Sequence, residues 1–260
     1  MSSSKKKSKY FQQQSNDKII LLRRQLEFKN LVNIQHAKHL IDFHSNCNQR
    51  SNKTKLTKQF FTQHSTQNLA INLLGKCLCT TVNGTILRGI IVETEAYLGA
   101  EDHASYSFGG RRTDANEPMY MAAGTCFIRF TYGMYYCFNI SSNDDGGAVL
   151  IRAAEPVQGI ESMCKLRREH PKAPARDKFD KKSFLLANGP SKLCIAFGID
   201  KKLNKANLLD DSRIWIEDCN QPIIEENVVK SSRIGISASN PWSDKLLRFY
   251  LKNFNSVSKK

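Results

Sequence analysis

The stretch GKCLCTTVNGTILRGIIVETEAYL, residues 75–98, decides the fold. Two β-rich runs flank Asn83-Gly84, and Asn-Gly between such runs is the strongest short-range hairpin signal, because its tight turn needs positive φ at both central positions. The second run is long, so Glu93, Glu95 and Tyr97 fall near the end of a strand. Residues two apart share a strand face, and this face carries polar groups that a purely structural strand has no reason to bury. Toward the C-terminus, residues 125–131 (TCFIRFT) and 134–141 (MYYCFNIS) predict a second hairpin with Tyr132-Gly133 at its tip. After a turn at Asn143-Asp144-Asp145-Gly146-Gly147, the run AVLIRAAEP (148–156) reads as an apolar strand with Arg152 inside it. Helical patterns cover Pro156–Arg168 and Pro190–Phe197 with a polar loop at 169–182 between them, and Trp215-Ile216 and Arg248–Leu251 read as later strands. Hairpins with interspersed helices and no internal repeat predict an α+β fold rather than a doubly wound sheet.

The chain has 260 residues, enough for one sizeable core with extra tails. Its 39 Lys/Arg against 24 acidic residues give a net charge of +15, the electrostatic footprint of a polyanion partner, with nucleic acid first in line. No stretch approaches the roughly 18 consecutive apolar residues of a membrane helix, so no membrane role is expected. The eight cysteines form no CxxC pair and several lie in apolar runs, which fits reduced buried thiols and an intracellular home.

Charge is concentrated at the N-terminus. Residues 1–55 hold 12 Lys/Arg against 3 acidic residues, and the remainder 27 against 21. Such a Ser-, Lys-, Gln- and Asn-rich segment buries little surface and reads as a mostly disordered basic leader. Its run Lys5, Lys6, Lys7 and Lys9 fits a nuclear import signal, a phosphate-gripping arm or a solvated charge run. An organellar transit peptide ranks second, for want of an arginine-rich amphipathic face. Residues 18–44 have the apolar content of an amphipathic helix, and the nearby His36, His39, His44 and Cys47 match no zinc-finger or knuckle spacing, so they read as surface residues.

Several residues carry possible chemistry. Glu93 and Glu95 are equal candidates for a catalytic carboxylate on spacing alone, and either fits a structural ion pair as well. Arg152 in an apolar strand requires a carboxylate partner, whether for catalysis or for structure. A large aromatic at a hairpin tip, Tyr132, has no core to fill. Arg111 and Arg112 after Gly109-Gly110, and Lys192 after Gly189-Pro190, are candidate phosphate contacts or ordinary surface charges.

The strings LLGK (73–76), RGIIVETEAYLGAEDHAS (88–105), GGRRT (109–113), MYMAAGT (119–125), YGMYYCFNISS (132–142), VLIRAAEP (149–156), NGPSKLC (188–194) and LRFY (247–250) follow one order and spacing. They resemble the alkyladenine (3-methyladenine) DNA glycosylase family over essentially residues 56–255. The resemblance implies a base-excision repair enzyme acting on double-stranded DNA that contains damaged purines. It would flip the base out, hydrolyse its N-glycosidic bond and leave an abasic site without strand cleavage, with no metal or organic cofactor. It selects Glu95 as the general base, with Arg152 holding the water and the carboxylate, and Tyr132 as the wedge that fills the vacated stack. Tyr97 would supply one stacking plane, Asn139 would disfavour guanine, and Leu150 would wall the pocket.

Two positions depart from the family pattern. Where the family places a histidine and a tyrosine, this chain has Tyr106 and Arg129. Tyr106 keeps an aromatic plane, whereas a guanidinium at 129 stacks on a neutral purine and repels a base that already bears positive charge. A preference for neutral lesions such as hypoxanthine or ethenoadenine over cationic methylpurines follows as an expectation.

The reading is therefore a single α+β domain over 56–255, a curved, mainly antiparallel sheet of hairpins surrounded by helices, with a basic leader (1–55) and a short tail (256–260). A monomer in the nucleus is expected, mitochondrial targeting being the second option. Two other classes fit less well. A lesion-recognising DNA-binding protein of the same fold with impaired catalysis would not need Glu95, and a basic RNA-binding scaffold would bind without regard to a lesion.

Overall fold

The computed structural model describes residues 54–131, 133–171, 182–219 and 225–260. The basic leader up to residue 53, with its lysine run and histidines, and the hairpin-tip residue Tyr132 lie outside them. The described strands are β1 (Thr54–Lys55), β2 (Cys77–Val82), β3 (Thr85–Tyr97), β4 (Cys126–Thr131), β5 (Tyr135–Ser141), β6 (Ala148–Gln158), β7 (Ile214–Asp218), β8 (Val228–Ser231) and β9 (Arg248–Leu251). They form one curled, antiparallel sheet in the order β1-β7-β2-β3-β6-β5-β4, with β9 pairing both β3 and β8. The described α-helices are few: α1 (Lys58–Thr62), α2 (Thr66–Asn72), α3 (Ile160–Glu169) and α4 (Pro190–Ala196).

The Asn-Gly signal folds as predicted. Asn83 and Gly84 have φ of 49° and 76°, and Val82 pairs directly with Thr85 across a two-residue turn. Strand β3 then runs 13 residues and changes neighbour on one edge, pairing β2 up to Ile90 and β9 from Glu93 to Glu95. Its other edge pairs β6 over most of its length.

Alternation along the strands separates two faces. Ile128, Phe138, Ile140, Val149 and Ile151 are buried, and they point away from the set Phe127, Asn139, Leu150 because successive side chains alternate. The buried set joins Leu69 and Ala70 of α2 and Leu193 and Cys194 of α4 in the core. Thr94, between the two glutamates, points to this side and donates to the Ala70 carbonyl at 2.8 Å. Gly89 of β3 is small for a reason: a Cβ there would lie 2.6 Å from Cζ of Phe197. That ring, fully buried just after α4, contributes about 2–3 kcal/mol by leaving water.

Two local expectations need correction. The helix predicted from Pro156 starts later: β6 continues to Gln158, and α3 begins at Ile160 after Gly159, whose φ is 76°. Pro156 is tolerated in the strand because it sits at a register shift of the β3–β6 ladder, where a missing N–H costs little. The run 256–260, read as a short tail, is partly in the core, with Ser256 and Val257 buried. Strand β8 went unread because VVKS is too short to show a period. At the sheet's outer edge, β4 is covered by the 204–206 loop: Cys126 N–H donates to Ala206 O, Lys205 N–H to Cys126 O, and Ile128 N–H to Asn204 Oδ1.

Candidate active site

One cross-strand row carries most of the chemistry. Phe127 of β4 faces Asn139 of β5, Asn139 faces Leu150 of β6, Leu150 faces Glu95 of β3, and Glu95 faces Arg248 of β9. Cross-strand partners project to the same side, so the row lies on the face opposite the helices. Stepping by two along each strand adds Arg129 and Thr131, Cys137, Ala148 and Arg152, and Tyr97, and all of these line a cavity of about 480 Å³. That volume lies within the usual range for small-ligand pockets. Tyr106, Met119, Ile234–Ile236 and Pro190 at the start of α4 close it.

Bulges aim the charged groups. In the β3–β6 ladder Glu93 faces Ala153 and Thr94 faces Ile151, which leaves Arg152 as the extra residue between them. An extra residue re-aims its side chain and bends the strand, a device often found beside active sites. Here the Arg152 guanidinium bridges both carboxylates: Nε donates to Glu93 Oε1 at 3.0 Å, and Nη1 lies 3.1 Å from Glu95 Oε2. Arg248 Nη1 donates to Glu93 Oε1 at 2.8 Å. Two buried carboxylates and two buried guanidiniums thus neutralise one another, the condition under which ions persist in a protein interior. Burial works against the charge on Arg152, and Glu95 and Glu93 outweigh it, raising its pKa above the ordinary value.

The two glutamates, equal in the sequence, differ in surroundings. Glu93 is enclosed by Arg152, Arg248 and both the amide and hydroxyl of Ser258. Glu95 accepts from Tyr97 Oη (3.0 Å), Arg152 and the Ile234 amide (2.8 Å). Glu95 is itself fully buried, yet each of those three partners lines the cavity. The Tyr97 ring is partly open to the cavity while its hydroxyl lies deep. Burial first, and the Glu95 carboxylate second, push its pKa well above 10, so it stays a donor to Glu95. Arg233 stacks on Tyr97, its guanidinium carbon 4.7 Å from the ring centre, and grips Asp102 through both Nη atoms. Its Nε is buried without a partner among the described residues.

The two departures from the family pattern form one unit. The Arg129 guanidinium lies over the Tyr106 ring, 3.5 Å from its centroid, and both line the cavity. Asn139 is fixed as part of the floor, its amide donating to the carbonyls of Phe127 (3.1 Å) and Cys137 (3.4 Å).

The candidate phosphate contacts stand apart from this row. Arg111 and Arg112 are exposed, and Arg112 holds Glu117 with two hydrogen bonds, at 2.6 and 2.8 Å. Lys192 donates to Asn188 Oδ1 at 2.9 Å. Sequence reading missed Arg248, Arg233, the Ile234 amide and Ser258. For the arginines one signal existed: Arg248 opens an apolar strand, the same anomaly that singled out Arg152. Among the described residues, the thiols of Cys77 and Cys79 and the Glu217 carboxylate lie within 4.8 Å of one another. Hydrogen bonding with Cys219 and Cys79, together with burial, raises the Cys77 pKa well above 9, and Glu217 is held by Arg88 and Trp215, so this group reads as a buried thiol cluster.

Comparison with known proteins points to one family. A family model described as methylpurine-DNA glycosylase matches residues 59–255. The chain is 45% identical over 191 residues to a probable DNA-3-methyladenine glycosylase of Encephalitozoon cuniculi, covering 73% of this chain and 86% of that protein. It is 43% identical over 208 residues to a putative 3-methyladenine DNA glycosylase of Clostridium perfringens, covering 79% of this chain and all of the relative. The DNA-3-methyladenine glycosylase of Homo sapiens is 43% identical over 206 residues, covering 79% of this chain and 68% of the human one.

Proposed function

The chain belongs to the methylpurine-DNA glycosylase family, and on that premise we propose that it excises damaged purines with water activated by Glu95. The coarse activity follows from the family: a monofunctional DNA glycosylase of base-excision repair, with DNA as substrate. The finer reading rests chiefly on one observation: the buried Glu95 meets the cavity through three partners that all line it.

Cleaving an N-glycosidic bond develops positive charge on the sugar and needs a water deprotonated on one face while the purine leaves from the other. Glu95 suits both tasks as proton acceptor and counter-charge. Arg152 fixes the carboxylate and offers further N–H groups toward the water. A base cannot be attacked within the stack, so it is extruded into the cavity at a cost of a few kcal/mol. Tyr132 fills the gap it leaves, Tyr97 and the Arg129–Tyr106 pair flank it, and Asn139 and Leu150 form the floor. Stacking of this kind contributes roughly 1–3 kcal/mol per base.

Arg129 sets the lesion preference toward hypoxanthine and ethenoadenine over cationic 3-methyladenine and 7-methylguanine. Supporting this, its guanidinium is pinned on Tyr106 in the cavity wall rather than extended into solvent. The protein acts as a monomer. Its basic leader, Arg111, Arg112 and Lys192 add affinity for phosphates, and the lysine run directs the protein to the nucleus. Release of hypoxanthine from an inosine-containing duplex by wild type, and its loss in Glu95→Gln with duplex binding retained, tests the mechanism. Equal release by both proteins removes Glu95 from it.

A further inference from the structure

The segment 256–259 lies just beyond the matched family region, which ends at residue 255, and it is packed rather than loose. Ser256 is buried, its hydroxyl meeting the Glu155 carboxylate and the Phe184 carbonyl, and Val257 is buried beside it. The next residue reaches the charged network. Ser258 N–H donates to Glu93 Oε2 at 2.7 Å, and its hydroxyl donates to Glu93 Oε1 at 2.9 Å. The Lys259 carbonyl accepts from Arg248 Nη1 at 2.8 Å, the same nitrogen that holds Glu93.

These contacts form a chain of links. Ser258 grips both oxygens of Glu93, Glu93 accepts from Nε of Arg152, and Nη1 of Arg152 holds Glu95. A guanidinium is planar, so fixing it at Nε fixes the direction of its Nη atoms. Without Ser258, Glu93 keeps its two arginines but loses both neutral donors, and a buried carboxylate short of donors draws its remaining partners closer. Arg152 is the partner it shares with Glu95.

We propose that Ser258 is a positioning residue for base excision: the C-terminal segment clasps Glu93 and thereby holds Arg152 in register with Glu95. The proposal rests on the reading that Glu95 and Arg152 serve the chemistry. Ser258 touches no reacting atom, and its effect travels through two side chains. The carboxylate at 93, left equivalent to Glu95 by the sequence, is in this account the anchor of the site rather than its base.

The test uses the full-length protein with Ser258→Ala, Ser258→Pro and Ser258→Thr, and Glu95→Gln as control. Ser258→Pro removes both donors, Ser258→Ala removes the hydroxyl alone, and Ser258→Thr retains both. Single-turnover hypoxanthine release is measured from pH 5 to 9, and affinity is measured for a duplex carrying an uncleavable abasic-site analogue. A small misplacement of a catalytic group costs about 10²-fold in rate, so Ser258→Pro is expected to lose roughly 10- to 100-fold and Ser258→Ala less. Affinity should change by less than about threefold, the pH–rate profile should change shape, and Ser258→Thr should restore both rate and profile. Wild-type rates and profile in both Ser258→Ala and Ser258→Pro overturn the proposal. So does a rate loss matched by an equal loss of affinity with an unchanged profile, the mark of a merely structural role. If Glu95→Gln still releases base at the wild-type rate, the reading of Glu95 fails, whatever the Ser258 variants do.

Discussion

Strand β3 carries two buried ion-pair regions that differ in what they border. Near its start, Arg88 holds Glu217 of β7 through Nε and Nη2 at 3.0 and 3.1 Å, and Trp215 Nε1 donates to the same carboxylate at 2.8 Å. Near its end, Glu93 and Glu95 share Arg152, and Arg248 holds Glu93. Both regions are largely buried and both pair opposite charges. Neither Arg88 nor Glu217 lines the cavity, whereas Arg152 and the other partners of Glu95 do. Burial and charge are common to both regions; what separates them is that the hydrogen-bond partners of Glu95 border the cavity and those of Glu217 do not.

Substitutions in the two regions should have opposite outcomes for excision and stability. The largest effect is expected for Glu95→Gln: single-turnover hypoxanthine release falls about 10²- to 10⁴-fold, as for loss of a general base, with duplex affinity preserved. Arg152→Lys comes next, at roughly 10²-fold, because a compact ammonium does not span two carboxylates as a planar guanidinium does. Competition between inosine and 7-methylguanine duplexes should show Arg129→Tyr shifting the rate ratio toward the cationic lesion by about tenfold, or ~1.4 kcal/mol. An unchanged ratio would mean that the charge at 129 is not felt by the base. Glu217→Gln should leave excision untouched and lower stability by about 1–3 kcal/mol in urea unfolding at neutral pH.

The pH dependence of that last deficit follows from linkage. Burial pushes the Glu217 carboxyl upward, but hydrogen bonds from Arg88 and Trp215 outweigh it and hold the pKa below the ordinary 4.5. A depressed carboxylate contributes its stability above the unfolded pKa and loses it as pH falls through the folded one. The gap between wild type and Glu217→Gln should therefore be full above about pH 4.5 and close below it. A gap that widened in acid would contradict the pairing.

Much of the site was legible because strands have a period of two. The Asn83-Gly84 turn, the second hairpin and the apolar run around Arg152 place β3 to β6, and alternate residues along them are the cavity wall. What the sequence withheld depends on non-local geometry. A bulge leaves no compositional trace, so nothing in VLIRAAEP reveals that Arg152 stands between Glu93 and Thr94 in the ladder. Spacing alone leaves Glu93 and Glu95 equal, and distant partners such as Arg248 and Ser258 on one and Ile234 on the other set their surroundings apart. The Arg129–Tyr106 stack joins a strand to a loop, and a residue-by-residue match presents them as two separate departures. The contribution of 256–259 was hidden by its polar composition, which reads as solvated chain end. The resemblance read from the sequence implies Tyr132 as the wedge, but that residue lies outside the described ones, and its place in the site rests on the resemblance alone.

Arg129 stands on the outermost strand of the sheet, the position at which sheets usually recruit a second molecule by strand addition. Here the backbone groups at Cys126 and Ile128 are already taken by the loop of Asn204–Ala206. Copies crowded along one duplex therefore find no open template in that stretch, and the strand that carries Arg129 is shielded there from edge-to-edge fusion.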